Sequence, residues 1–211
     1  MSKIDFSDIN VPELIADMWE PLTEEQREYL SEHFTIQNFK KNEVVHFEGE
    51  TPTHLMCLLT GKVKIYKDGV GGRSQIIRMM KPVEYFGYRA YFSEQAYVTA
   101  AAAFEPSVIC LIPMTVITKL IRQNNDLAMF FIKQLSNDLG MSDTRTVNLT
   151  QKHIRGRLAE SLLFLKESYG IEEDGSTLSI YLSREDLANL SNMTTRSEER
   201  RVGKECWCSC R

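Results

Sequence analysis

The feature that most constrains this chain is a change of period at Glu43. From there to about Ile112 the apolar residues fall into short runs, EVVHFEGE, HLMCLLTGKVKIYKDG, RSQIIRMM and SVICLI, which are rich in β-branched and aromatic residues and separated by Gly, Pro and Asp. Runs of this kind are strands joined by turns. In KVKIYKDG the apolar Val63 and Ile65 alternate with Lys62 and Lys64, as on a strand with one buried face. Asp68-Gly69 then closes a hairpin. The following GVGGR lacks a Gly-Lys-Ser/Thr ending and lies between strands, so it reads as a hairpin loop and not a phosphate loop.

Helical spacing flanks this block. Leu14, Ile15, Met18 and Trp19 mark one opening helix, which Pro21 stops, and Thr23 with Gln26 forms the capping box of a second that carries Tyr29, Leu30 and Phe34. Past Pro113, Leu120, Leu127, Phe131, Leu135 and Leu139 recur one or two turns apart. A helix from Asp126 to near Thr150 is ~37 Å long at ~1.5 Å per residue, more than one small domain covers. Its stripe of Leu127, Phe131, Leu135 and Leu139 is therefore read as the interface of a homodimer. Thr150 is expected to cap the next helix, which carries Ile154, Leu158, Leu162 and Leu165 and ends at Gly170, with Lys152, Arg155 and Arg157 as a solvated face. TLSIYLS reads as a short strand. Ser183 and Asp186 open a further helix, REDLANL, with Leu187 and Leu190 inward; a turn follows at Ser191-Asn192, and Thr194 or Thr195 caps what comes next.

At 211 residues, 43% hydrophobic and 26% charged, the chain supports one large or two small domains. Its formal net charge of -4 gives no overall basic field, so any hold on nucleic acid must come from a local patch. No apolar run approaches the ~20 residues of a membrane span, and MSKIDFSDIN lacks the features of a signal peptide. A cytoplasmic protein with no membrane partner is expected. Cys57 and Cys110 sit inside apolar runs and read as reduced core thiols, while Cys206, Cys208 and Cys210 crowd the terminus.

FEGE followed by LLTGKVKIY, the Phe-Gly of YFGYR, the GRLAESLLFL helix and LSREDLANLSNMT, in this order and spacing, resemble the Crp/Fnr family of dimeric bacterial regulators. The resemblance covers about Glu43 to Thr195. It implies an α+β protein: a β jelly-roll sensor of the cyclic-nucleotide-binding kind at 1–115 with its opening helices, a long dimerisation helix at 116–150, and an incomplete winged helix-turn-helix at 151–195. It also implies a DNA-binding transcription regulator that is not an enzyme and needs no cofactor. Its partners are a second copy, double-stranded DNA, RNA polymerase and an unknown small effector.

By the same resemblance the effector pocket falls on Phe86, Gly87, Tyr88, Arg89, Tyr97, Val98 and Ser142. Members that bind cyclic AMP carry Gly-Glu where Gly87 is followed by Tyr88 and Arg89, and an Arg-Ser pair for the phosphate where this chain has AYVTAAAA, near Ala96 and Tyr97. Their adenine-facing Thr-Ser falls on Ser142 and Asp143. No guanidinium remains to neutralise a cyclic phosphate, so the effector is expected not to be cyclic AMP. Iron-sulfur members need four thiolates, several in an N-terminal cluster, whereas the first cysteine here is Cys57. The alternative is a cupin-like jelly-roll metalloenzyme. It has His46, Glu48 and His54 to draw on, but no His-x-His pair.

Ser183 and Arg184 match phosphate-contacting positions at the start of the first helix of the motif, and Thr194 and Thr195 match the start of the recognition helix. A recognition helix must bury apolar residues and present side chains to base edges. RSEERRVGKEC offers only Val202 for burial and sets Glu198 and Glu199 against phosphates. Arg196 to Cys206 instead resembles, residue for residue, a translated frame of a short-read sequencing adapter. Residues 196–211 are read as a non-native tail on a truncated gene, which makes the three terminal cysteines accidental and not a metal site.

Overall fold

The structure is a computed structural model and describes residues 11–69 and 74–193. The first ten residues, Val70–Arg73 of the hairpin loop, Thr194, Thr195 and the tail at 196–211 with its three cysteines lie outside the described residues.

Eight strands run in order among the described residues: β1 (Thr35–Phe39), β2 (Val44–His46), β3 (His54–Thr60), β4 (Val63–Asp68), β5 (Ser74–Met80), β6 (Tyr85–Phe86), β7 (Ala100–Ala103) and β8 (Ser107–Pro113). They form two four-stranded sheets, ordered β1-β8-β3-β6 and β2-β7-β4-β5. This is the jelly-roll sandwich the sequence implies, and with its helices it makes an α+β fold. The continuous apolar runs of β3 and β8 follow from burial on both faces. In β3, Leu55, Cys57 and Leu59 point to one core cluster, while Met56 and Leu58 point to the other. β8 divides the same way, with Val108, Cys110 and Ile112 against Ile109. Cys57 and Cys110 lie opposite each other across the ladder, both fully buried and both free. Burial raises both thiols well above the usual range, Cys110 to about 12, so neither is a nucleophile at neutral pH.

The first cluster is roofed by helices: α1 (Val11–Leu14), α2 (Ala16–Trp19), α3 (Glu24–Ser31), α4 (Tyr88–Phe92), α5 (Met114–Gln123) and the first half of α6 (Asn125–Gln151). The Thr23–Gln26 capping box forms as expected. Four expectations need correction. The strands begin at Thr35, not Glu43; β1 is a sheet edge whose residues are mostly exposed, so its apolar signal is weak. The helical stretch after Pro113 breaks at Asn124, whose extended backbone lets its side-chain oxygen accept from the amides of Asp126 and Leu127. Thr150 does not cap the next helix, α7 (Ile154–Tyr169). His153 stands at that cap, and the Thr150 hydroxyl donates to the Thr146 carbonyl inside α6. TLSIYLS is not a strand: among the described residues only Leu178 finds a ladder partner, in a single bridge to Ile171.

The chain divides into two compact units. One holds the described residues up to Ile65 together with Met79–Leu139; the other holds the described residues between Tyr66 and Arg78 and those from Gly140 to Met193. In the second unit α7 ends at Gly170 with a positive φ, and α8 (Arg184–Leu190) follows.

Candidate effector pocket and DNA-binding element

Gly87 is the pivot of the expected effector pocket. It follows β6 in a left-handed conformation, φ 88°, and starts α4. A Cβ there would stand 2.6 Å from Met56 Cε, 3.0 Å from the His54 carbonyl and 3.3 Å from the Tyr97 hydroxyl oxygen, so both backbone and space demand glycine. The residues around it part company. Phe86 and Tyr97 join the core between the sheets, Tyr88 turns into the helix-roofed core, and Arg89 and Val98 face solvent. Ser142 is an exposed residue of α6 in the second unit.

The interior beside Gly87 is occupied by protein. The Tyr97 ring is stacked on His46 with centroids 3.9 Å apart and planes 25° from parallel. Its backbone is clamped to the loop after β2, donating to the Glu50 carbonyl and accepting from Gly49. Ala101 and Ala103 of β7 complete this wall with Met56 and Phe86, and none of these groups is cationic. Burial lowers His46 to about 4, against smaller upward contributions from the Phe47 backbone and Glu50, so its imidazole is neutral at physiological pH. Burial, then Glu50, pushes Tyr97 up to about 12. In the sequence His46 is a polar residue within the short run EVVHFEGE, a signal that points to a cupin ligand as readily as to a ring stacked in the core. The cupin alternative gains no support, because the His54 ring is engaged by the Thr53 hydroxyl at 2.9 Å, and no group of His, Cys, Asp and Glu among the described residues is placed to hold a metal.

In the second unit Ser183 caps α8. Its hydroxyl accepts from the Asp186 amide at 3.0 Å, and the Asp186 carboxylate accepts in return from the Ser183 amide, the capping box the sequence announces. Arg184 is exposed at the first position of the helix. After Leu190 the chain turns through Ser191 and a left-handed Asn192, φ 50°. Two side chains hold this corner. The Gln75 amide donates to the Asn189 carbonyl at 2.6 Å, and the Arg157 guanidinium donates to the carbonyls of Leu149 and Asn192, each at 3.1 Å. Arg157 is thus a strut between the end of α6 and the turn, not the solvated residue its spacing suggests, and Lys152 pairs with Glu160.

The expected dimer stripe on α6 also divides. Leu127 and Phe131 are buried in the chain's own core, where Phe131 meets Tyr88, Phe92 and Phe130 at centroid distances of 5.4, 5.6 and 5.2 Å. Leu135 packs against the same cluster, and only Leu139, 63% exposed, stays free. The surface of Leu127 and Phe131 is thus already removed from water within the chain itself. The apolar residues α6 leaves in solvent include Met129 at 58% and Ile132 at 52%, three and seven residues apart along one face that ends at Leu139.

The cyclic nucleotide-binding domain family matches residues 36–124. A protein of Haemophilus influenzae is 32% identical over 116 residues, covering 54% of this chain and 87% of that one. The CRP-like cAMP-activated global transcriptional regulator of Mycobacterium tuberculosis is 23% identical over 154 residues, 72% of this chain and 69% of that one. Among solved structures, a proposed transcriptional regulator of the Crp/Fnr family from Eubacterium rectale superposes with a TM-score of 0.75 at 15% identity, over 88% of this chain and 84% of its own. Among the described residues no helix is long and apolar enough to cross a membrane. With the sandwich, the left-handed glycine after β6 and the capped helix before a left-handed turn all in the expected order, the chain belongs to the Crp/Fnr family of bacterial regulators.

Proposed function

We propose that this protein is a cytoplasmic, DNA-binding transcription regulator that senses a small effector other than cyclic AMP through its jelly roll and is not an enzyme. The observation that carries the reading is α8: a doubly capped helix ending in a left-handed turn whose backbone is held by Gln75 and Arg157, the first half of a helix-turn-helix. On this reading Ser183 and Arg184 meet the phosphate backbone of the DNA. The protein works as a homodimer joined by the solvent face of α6, through Met129, Ile132 and Leu139. RNA polymerase is its further partner at promoters.

Cyclic AMP is disfavoured because the wall that would take its phosphate is Ala100–Ala103 and Tyr97, all buried and none cationic. Loss of a charge-assisted bidentate contact costs roughly 2–5 kcal/mol. Calorimetry should find no micromolar binding of cyclic AMP. We also infer that residues 196–211 are a non-native tail and supply no reading helix. Fluorescence anisotropy on the operator of a full-length relative tests the whole reading, comparing this chain with one whose tail is replaced by the continuation recovered from clean genomic DNA. The repaired chain should prefer operator over scrambled DNA at physiological salt, and this chain should not. Equal preference overturns the truncation, and no preference by either overturns the regulator.

A further inference from the structure

His46 is an expensive residue for its place. β2 shifts register against β7 between Val44 and His46, and this irregularity pairs His46 with Ala101. The side chain is only 6% exposed, and its Nδ1 has no hydrogen-bond partner. A buried polar atom left unpaired destabilises the fold, and an apolar residue would avoid that cost. The imidazole is stacked on the Tyr97 ring. The neighbours on the β7 wall are alanines, Ala101 and Ala103, which leave room for a ring and add no polar group of their own. At the far end the Tyr97 hydroxyl reaches Gly87, the residue that admits no side chain.

We propose that the face of His46 is a binding site for a small uncharged aromatic ring bearing one hydrogen-bonding group, and that Tyr97 is its built-in occupant in this state. The inference rests on reading the jelly roll as the sensor and names the chemical class of its effector. An anion does not fit, because no cation lines the space and Glu50 lies close enough to act on both rings. A purely aliphatic ligand would leave Nδ1 unpaired and lose the stack. An aromatic ring whose hydrogen-bonding group is directed at Nδ1, which the Tyr97 hydroxyl leaves unpaired, satisfies both. The Tyr97 backbone is fixed by Gly49 and Glu50, so its side chain is the part that yields.

The test removes the occupant and supplies it from solution. In the full chain, Tyr97→Ala should lower the melting temperature, and p-cresol, the tyrosine side chain without its backbone, should restore it with a submillimolar dissociation constant. 4-Methylcyclohexanol, similar in size but without a π-face, should bind at least tenfold more weakly. The His46 ring protons should move upfield as p-cresol binds, and in the parent chain, where p-cresol must displace the Tyr97 side chain, it should bind at least tenfold more weakly than in Tyr97→Ala. Equal binding of the two probes, or a folded variant that binds neither, overturns the proposal. Should Tyr97→Ala fail to fold, Tyr97→Phe and Tyr97→Leu decide. Phe must keep the upfield His46 resonances and most of the stability, and Leu must lose both; equal behaviour of the two overturns the stack. All these readouts are taken without DNA, so their failure leaves the DNA-binding reading standing, and a failure on operator DNA leaves this site standing.

Discussion

The two halves of α6 are built on different principles. From Asn125 to Leu139 the helix is anchored by burial: Leu127 and Phe131 are sunk in the helix-roofed core, and Phe131 sits among three other rings. From Gly140 to Gln151 no residue is buried. There the hydroxyls of Thr144, Thr146 and Thr150 fold back onto the carbonyls four residues earlier, bonds that compete with the helix ladder as much as they serve it. The ties of this half to α7 include Arg145 over the Phe164 ring at 5.9 Å and the Leu149 carbonyl, which accepts from Arg157, and just past its end Lys152 pairs with Glu160. A single helix thus passes from a segment fixed by its own core to one that core does not hold, at the residue where the two units divide.

The contrast breaks most visibly at Phe131. Phe131→Ala should cost about 3–5 kcal/mol, the price of an aromatic cavity in a packed core, and lower the urea midpoint of the first unit. A loss under about 1 kcal/mol would mean the anchored half is not anchored. Acid attacks the same unit from its other core. His46 has a folded value of about 4 against 6.5 unfolded, so the neutral form is favoured by folding. Its contribution is complete above pH 6.5 and disappears as pH falls through 4, about 3 kcal/mol in all. The charged neighbour that opposes this shift is Glu50. In the second unit, Asp174 is held down to about 2 by the Thr177 hydroxyl and the Ser176 and Thr177 amides, so its contribution is lost only between 3.8 and 2. Urea midpoints at pH 7 and pH 5 should therefore fall for the first unit alone, and His46→Leu should flatten that dependence. A slope unchanged in His46→Leu assigns it to another group.

Much of this division was legible in the chain and part of it was not. The apolar runs of β3 and β8, the two capping boxes at Thr23 and Ser183, and the glycine stop at Gly170 are local signals, and local structure obeys them. β7 is invisible because four alanines carry neither β-branching nor alternation, although all four are buried. On α6 the helical period shows that apolar faces exist, but not which is taken by the chain's own core. That depends on rings from α4, far away in sequence. The pocket suffers from the same limit. Gly87 and Tyr97 were placed by resemblance, while the stack that fills the space depends on a register shift in β2 that no spacing announces.

The free face gives a smaller effect. Leu139→Asp removes no buried contact within the chain, so the first unit should melt as before. Losing an apolar residue from a dimer seam should weaken association by about 1.5–3 kcal/mol, tenfold or more in dissociation constant by sedimentation. Melting that falls with Leu139→Asp as far as with Phe131→Ala would place Leu139 in the core and remove the distinction between the two faces.

The smallest change bears most directly on the junction. Gly140 stands inside the helix, and a Cβ there would meet nothing within 4 Å. Its only cost is backbone freedom, about 0.5–1 kcal/mol relative to alanine. In the Leu139→Asp background, at protein concentrations where sedimentation finds a monomer, Gly140→Ala should slow amide exchange over residues 141–151 by roughly two- to fivefold, the factor that free energy corresponds to. Residues 127–135 should exchange as before, because their opening requires Leu127 and Phe131 to leave the core, a far larger cost. Slowing confined to the distal half establishes that the two halves open separately. Equal slowing along the whole helix would show that α6 opens as one unit, and its division at Gly140 would then be a matter of packing without consequence for how the helix moves.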